Sequence, residues 1–176
     1  MKKIVFGLSS SVSIYKSCDV IRRLVHHNFD VHTVMSENAT ELIRPLLFET
    51  LSGNPCFFDT FKRDTFSMKH ISLKKDAALF VIAPASANII GKCAHGIADT
   101  LLTTTFLAIE CPVLIAPAMN PSMWNNPAVR DNLALLESRG VHIVEPQSGI
   151  VACGDEGTGK LASVDEIVEK IISIIG

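Results

Sequence analysis

Three side chains in this sequence have the type and setting to do chemistry. Asn120 sits in an uncharged stretch, Ala116 to Pro127 (APAMNPSMWNNP), where its amide could hold a neutral or anionic group in a pocket screened from water. Cys153 lies in GIVACGDEGTGKLAS among Gly149, Gly154, Gly157 and Gly159, a run that cannot pack as helix and reads as a flap or hairpin. A thiol on such a flap can donate a proton to a carbanion-like centre; a small residue filling a turn is the other reading. His70, in MKHISL, carries an imidazole able to act as acid, base or partner of a carboxylate, or else a solvated or structural ring. His26, His27, His32, His95 and His142 have no comparable setting.

A second group is made of small hydroxyl residues that follow predicted strands. GLSSSVS puts Ser10, Ser11 and Val12 at the start of a predicted helix, where unpaired N–H groups and the helix dipole favour a phosphate. An ordinary serine N-cap explains the same loop. It matches neither GxGxxG nor GxxxxGK[ST], so a dinucleotide or P-loop site is unsupported. Ser36 opens the segment after the second strand, and APASAN repeats the pattern with Ser86 as a cap and Asn88 presenting an amide. Several strand ends bearing hydroxyls and no charge are better explained by one phosphorylated cofactor lying along the sheet edge. Trp124, with Met119 and Met123, either walls an aromatic cofactor or anchors the core.

The elements that must position these residues alternate in type. Strands are expected at Lys2 to Leu8, Asp30 to Met35, Ala78 to Ala83 (ended by Pro84), Pro112 to Ala118 and Val141 to Pro146. Between them lie a helix with apolar Val12, Tyr15, Val20, Ile21 and Leu24, helical pieces broken at Pro45 and stopped at Gly53, two helices parted near Gly96, and a helix with Gly140 as C-cap. Cys56 to Lys75 reads as loop with a short helix around MKHISLKK, and VDEIVEKIISIIG as a closing amphipathic helix. Parallel neighbours need crossovers, and the apolar strands must be covered on both faces. The expected fold is therefore a three-layer α/β doubly wound parallel sheet, flavodoxin- or Rossmann-like, as one domain over residues 1–176. In such sheets ligands bind beyond the carboxyl ends of the strands, where all the loops singled out above fall.

Composition narrows the partners. The 176 residues are 48% hydrophobic, with 16 Lys and Arg against 18 Asp and Glu, so nothing in the charge balance draws the chain to nucleic acid or membrane. No apolar run approaches the roughly 20 residues of a membrane helix, and MKKIVFGLSS is too short in its apolar part for a signal peptide, so the cytoplasm is expected. Cys18, Cys56, Cys93, Cys111 and Cys153 stand singly, without metal-ligand spacing; reduced thiols and no metal are expected.

Taken in order, MKHI, PASAN, HGIADTLLTT, APAMNPSMWNNP and ACGDEGTGKLAS resemble the flavin-dependent cysteine decarboxylases over nearly the whole chain. The PAMN and ACG elements together make the resemblance specific. It implies FMN, a homo-oligomer built from trimers (trimer or dodecamer) with the flavin near a subunit interface, and phosphopantothenoylcysteine as the small-molecule substrate, in coenzyme A biosynthesis. The implied reaction oxidises the thiol-bearing carbon to a thioaldehyde, loses carbon dioxide and reduces the enethiol. Carried over by position, Ser10, Ser11, Val12, Ser36, Ser86, Ala87 and Asn88 would bind FMN, with Ala118 lining the site. His70 would act in the decarboxylation half, Asn120 would bind the substrate carboxylate beside Met119, and Cys153 would donate the proton in the reductive half. Ile150, Val151 and Ala152 would lie against the substrate. The alternatives are a peptidyl-cysteine decarboxylase acting on a lantibiotic precursor, against which Ala118 and Cys153 argue, and a flavin-binding regulatory subunit without catalysis, whose long acidic or disordered tails this chain lacks. A flavin prenyltransferase gives PAMN and the Cys153 flap no role.

Overall fold

The structure, a computed structural model, describes residues 1–59 and 69–176. Its first strand, β1 (Lys3–Leu8), turns successive side chains to opposite faces: Ile4, Phe6 and Leu8 enter one apolar cluster and Val5 the other, all buried. A strand buried on both faces has to be covered twice, and the crossovers supply the cover. Helix α1 (Lys16–His26) leads to β2 (Asp30–Met35), parallel to β1 on one side. On the same edge, the single turn α2 (Glu37–Thr40) and α3 (Pro45–Ser52) lead to β3 (Cys56–Phe57). The chain then returns through α4 (Lys69–Lys74) to β4 (Ala77–Ala85), which pairs with the other side of β1. Beyond it α5 (Ala87–His95), α6 (Leu101–Ala108), β5 (Val113–Pro117), the turn α7 (Pro121–Trp124), α8 (Pro127–Ser138) and β6 (His142–Ile143) complete a six-stranded parallel sheet in the order β3-β2-β1-β4-β5-β6. The antiparallel hairpin β7 (Gln147–Ile150) and β8 (Glu156–Lys160) stands apart from it, and α9 (Val164–Ile175) closes the described chain.

Ile21 and Leu24 of α1, Phe48 of α3, and Ile167 and Ile171 of α9 cover one face of the sheet; Leu73, Ile90, Leu102, Leu133 and Leu136, from α4, α5, α6 and α8, cover the other. At Gly7 the helix layer comes close to the sheet: a Cβ there would lie 2.7 Å from Leu102 Cδ1 on α6, so the Leu102 side chain would have to shift. This is the doubly wound three-layer fold the alternation predicts.

The departures have local causes. Val12–Tyr15 is a 3-10 turn rather than the first turn of α1, and Val12 and Tyr15 are 63% and 59% exposed rather than core. β4 continues past Pro84 instead of ending there. The register with β5 slips between Ile82 and Ala85, and two buried hydroxyls take the carbonyls at the slip: Ser17 Oγ donates to Ala83 O and Ser9 Oγ to Pro84 O, both at 2.8 Å. Side chains thus replace ladder bonds, which keeps the strand in the sheet. β6 keeps only two of its six expected residues, and β3 is too short for any periodicity to reveal it. Pro45 and Gly53 (φ 72°) bound α3 as expected, while Gly140 (φ 85°) falls one residue past the C-cap, Arg139. The part of the expected loop spanning 60–68 lies outside the described residues. Among the described residues no helix is long and apolar enough to cross a membrane.

Candidate active site

The strand order reverses between β1 and β4, and the loops that leave their carboxyl ends diverge there to open a crevice. Ser9 lies at this junction, at the end of β1. Fully buried, its Oγ donates to Pro84 O and accepts from Ser86 N, both at 2.8 Å, tying the two strand ends together. Ser11 caps the 3-10 turn by accepting from Ser13 N at 3.4 Å, with half-buried Ser10 before it and exposed Val12 after it. At the end of β4, Ser86 caps α5 by accepting from Ile89 N, with Ala87 and Asn88 in the first turn. Ala118, buried beyond β5, donates its N–H to Ala85 O at 3.0 Å.

Ser36 behaves differently. It occupies the N-cap position of α2 without capping it, and its buried Oγ has no hydrogen-bond partner. A buried hydroxyl left unsatisfied costs about 1–3 kcal/mol. At the end of β2 this orphan is suited to a polar group from outside the chain, and the uncharged hydroxyl set around it fits the phosphorylated cofactor that the sequence suggests.

Asn120 and Cys153 come together. Asn120 N-caps α7, accepting from Ser122 N at 2.7 Å, and this bond fixes which way the amide faces. Its Nδ2 then points at the hairpin tip, donating to Cys153 Sγ at 3.1 Å and to Asp155 Oδ2. The thiol donates in turn to the same Asp155 oxygen at 3.4 Å. Cys153 is the exposed one of the five free cysteines, whereas burial pushes the Cys56 thiol up to about 11 and that of Cys93 to about 12.

The hairpin is held over this spot by an unusually close backbone approach. Met119 N donates to Gly159 O at 2.9 Å, and a Cβ on Gly159 would lie 2.3 Å from Met119 O. Gly157 repeats the fit against Pro121, 2.8 Å from Pro121 Cβ. Gly159→Ala is expected to lift β8 off the Asn120 loop. Overpacking of this kind costs about 1–3 kcal/mol, and amide exchange at 150–155 should accelerate while the sheet stays protected; an unchanged exchange pattern would contradict the docking described.

Together these loops enclose an open cavity of about 490 Å³, lined by Ser11, Val12, Ser13, Tyr15 and Lys16 from the first loop, Met119 and Asn120 from the β5 loop, and Ile150, Val151, Ala152, Cys153, Gly159 and Lys160 from the hairpin. It thus gathers eight of the residues expected from the sequence. Ser10, Ser36, Ser86, Ala87, Asn88 and Ala118 are not in its wall and mark the adjoining strand ends. His70 is not there either: it lies half-buried on α4, which packs against α6 on one face of the sheet. Trp124 is 5% exposed, in the core, and Arg130 covers its ring at 4.4 Å, so it walls no cofactor. Asp155, Lys16 and Lys160 escaped the sequence reading. Among the described residues no cluster of metal-ligating side chains occurs.

Comparison with known proteins places this geometry. The chain is 41% identical over 173 residues to the probable phosphopantothenoylcysteine decarboxylase of Streptococcus mutans, covering 97% of each chain. Among solved structures it resembles a PPC decarboxylase mutant complexed with pantothenoylaminoethenethiol (TM-score 0.88, 28% identity, 97% of this chain and 96% of that one). It also resembles the FMN-dependent cysteine decarboxylase SpaF (TM-score 0.85, 34% identity, 99% and 97%). The Flavoprotein family model matches residues 1–176 throughout, and the chain belongs to the Flavoprotein family.

Proposed function

We propose that this flavoprotein is a carboxy-lyase that converts 4′-phosphopantothenoylcysteine to 4′-phosphopantetheine, with FMN as its flavin and residues 1–176 working as one domain. The observation that carries the reading is the pair of groups on the Asn120 amide. Nδ2 donates at once to a carboxylate, that of Asp155, and to a thiol sulfur, that of Cys153. Those are the two groups an oxidisable C-terminal cysteine would bring into the same cavity.

Ser10, Ser11, Val12, Ser36, Ser86, Ala87 and Asn88 would hold the cofactor, with Ala118 beside it and the unpartnered Ser36 hydroxyl finding its acceptor or donor there. When bound, FMN supplies the two-electron oxidation of the thiol-bearing carbon and returns the electrons after carbon dioxide has left. The chain's own residues do the rest. Asn120 holds the substrate carboxylate with a neutral donor; a cation would stabilise that charge in the ground state and raise the barrier to losing it. Met119, Ile150, Val151 and Ala152 would line the substrate and exclude water from the reacting carbons. Cys153 gives its Sγ proton to the carbon being reduced and recovers one from solvent through its exposed position. His70 serves the decarboxylation half of the reaction. Since it stands away from the cavity of its own chain, a trimer is proposed in which the site is shared between subunits, in the cytoplasm.

The purified protein should show a flavin absorbance band that bleaches transiently, with release of carbon dioxide, on anaerobic mixing with phosphopantothenoylcysteine. Resemblance to SpaF supports a second reading, decarboxylation of a peptide ending in cysteine. Turnover of such a peptide with none of phosphopantothenoylcysteine would select it; a protein that cannot be loaded with FMN would remove both.

A further inference from the structure

Two cations in the cavity wall have no part in the chemistry above. Lys16 is the first residue of α1 and half-buried; Lys160 ends β8 and is exposed. They line the same cavity as Asn120 and Cys153, one from the start of α1 and one from the stem of the hairpin. Arg23, Lys74 and Lys92 each hold a carboxylate, whereas among the described residues neither Lys16 nor Lys160 has one within ion-pair distance.

We infer that Lys16 and Lys160 form a subsite for a phosphate monoester, the end of the substrate farthest from its reacting cysteine. This rests on the decarboxylase reading for the substrate's identity but not for the anion. Two ammonium groups facing one cavity repel each other. Burial first, and the like charge of Lys160 second, hold Lys16 below the usual lysine range. A single carboxylate would balance half of the pair, while a phosphate monoester carries about −1.5 to −2 at neutral pH and balances it whole. The reacting carboxylate already has a neutral host in Asn120, where a cation would be a disadvantage. The cofactor has a phosphate too, and Ser11 and Val12 share this cavity with the lysines, but Ser36 and Ser86 lie outside it. The residues that would touch the substrate, Met119, Asn120 and Ile150 to Cys153, all lie in it with the pair; on that ground the pair is assigned to the substrate's arm.

The test is calorimetric titration of the FMN-loaded protein with 4′-phosphopantetheine and with pantetheine, alongside the flavin content of each variant. The parent should prefer the phosphorylated ligand by about tenfold or more, a preference that weakens with salt. Lys160→Gln should cut it severalfold and the double variant Lys16→Gln/Lys160→Gln should bring it near one, while Lys160→Arg retains it and controls for folding. Variants that keep the full preference overturn the proposal. So does a loss of flavin with the preference intact in the remaining holoprotein, which would assign the lysines to the cofactor phosphate. A lysine-dependent preference in a protein that releases no carbon dioxide from phosphopantothenoylcysteine would uphold the subsite and defeat the decarboxylase reading alone.

Discussion

Cys153→Ser should still bind flavin and release carbon dioxide, yet form phosphopantetheine at roughly 10²–10⁴-fold lower rate, with the oxidised enethiol accumulating instead. The two half-reactions ask different things of this residue. Loss of carbon dioxide needs the substrate carboxylate held and the neighbouring carbon oxidised, and no proton from the hairpin. Reduction of the enethiol needs a proton delivered to carbon as the electrons return. A thiol can give one near neutral pH, while a serine hydroxyl in the same place is a far weaker acid. The geometry should survive, because a hydroxyl can keep both contacts of Sγ: acceptor from Asn120 Nδ2, now 3.1 Å, and donor to Asp155 Oδ2, now 3.4 Å. Single-turnover measurement of carbon dioxide and of phosphopantetheine separates the halves. An equal drop in both would mean that Cys153 shapes the site rather than protonating the product. Cys93, enclosed among Ile90, Leu102 and Leu133 with its thiol pushed up to about 12, is the contrast: its replacement should act through stability.

What the sequence can and cannot disclose follows from the range of each interaction. β1, β2, β4 and β5 are legible because a parallel strand buried on both faces is a continuous apolar run, and the alternation of strand and helix then leaves few topologies. The passage of β4 through Pro84 is not, since it depends on Ser9 and Ser17, 75 and 66 residues away in sequence from the carbonyls they take. Val12 and Tyr15 look like core by spacing, but a 3-10 turn rotates them off the helical face and onto the cavity. Asn120 and Cys153 stand out by the oddness of their surroundings. Asp155 does not, because an acid in a glycine-rich turn has no signature until the fold sets it against an amide and a thiol. Lys16 and Lys160 are ordinary surface lysines in the sequence, and only the hairpin's docking on the β5 loop makes them a pair. The Ser36 hydroxyl is the reverse case: its residue type suggests a site, and its lack of any partner strengthens the suggestion.

Asn120→Ala should lower carbon dioxide release itself by roughly 10²–10³-fold, the scale of removing one positioned donor at a reacting charge, with flavin binding intact. The amide has two hydrogens on Nδ2, and both are engaged by the hairpin, one by the thiol and one by Asp155. A substrate carboxylate therefore enters by exchange, taking the place of the Asp155 carboxylate, and the amide is already turned toward an anion because Ser122 N holds its oxygen at 2.7 Å. Alanine removes the donor and the N-cap of α7 together, so loss of activity alone would be ambiguous. Asn120→Asp resolves it: the cap acceptor stays, the donor goes, and the new carboxylate faces Asp155 and the incoming substrate carboxylate with like charge. The aspartate variant should thus be at least as inactive as alanine, although its α7 is capped as in the parent, and its KM should rise more. If it instead worked near the parent rate, Asn120 would be a helix cap beside the site, and the substrate carboxylate would have to be held elsewhere in the cavity.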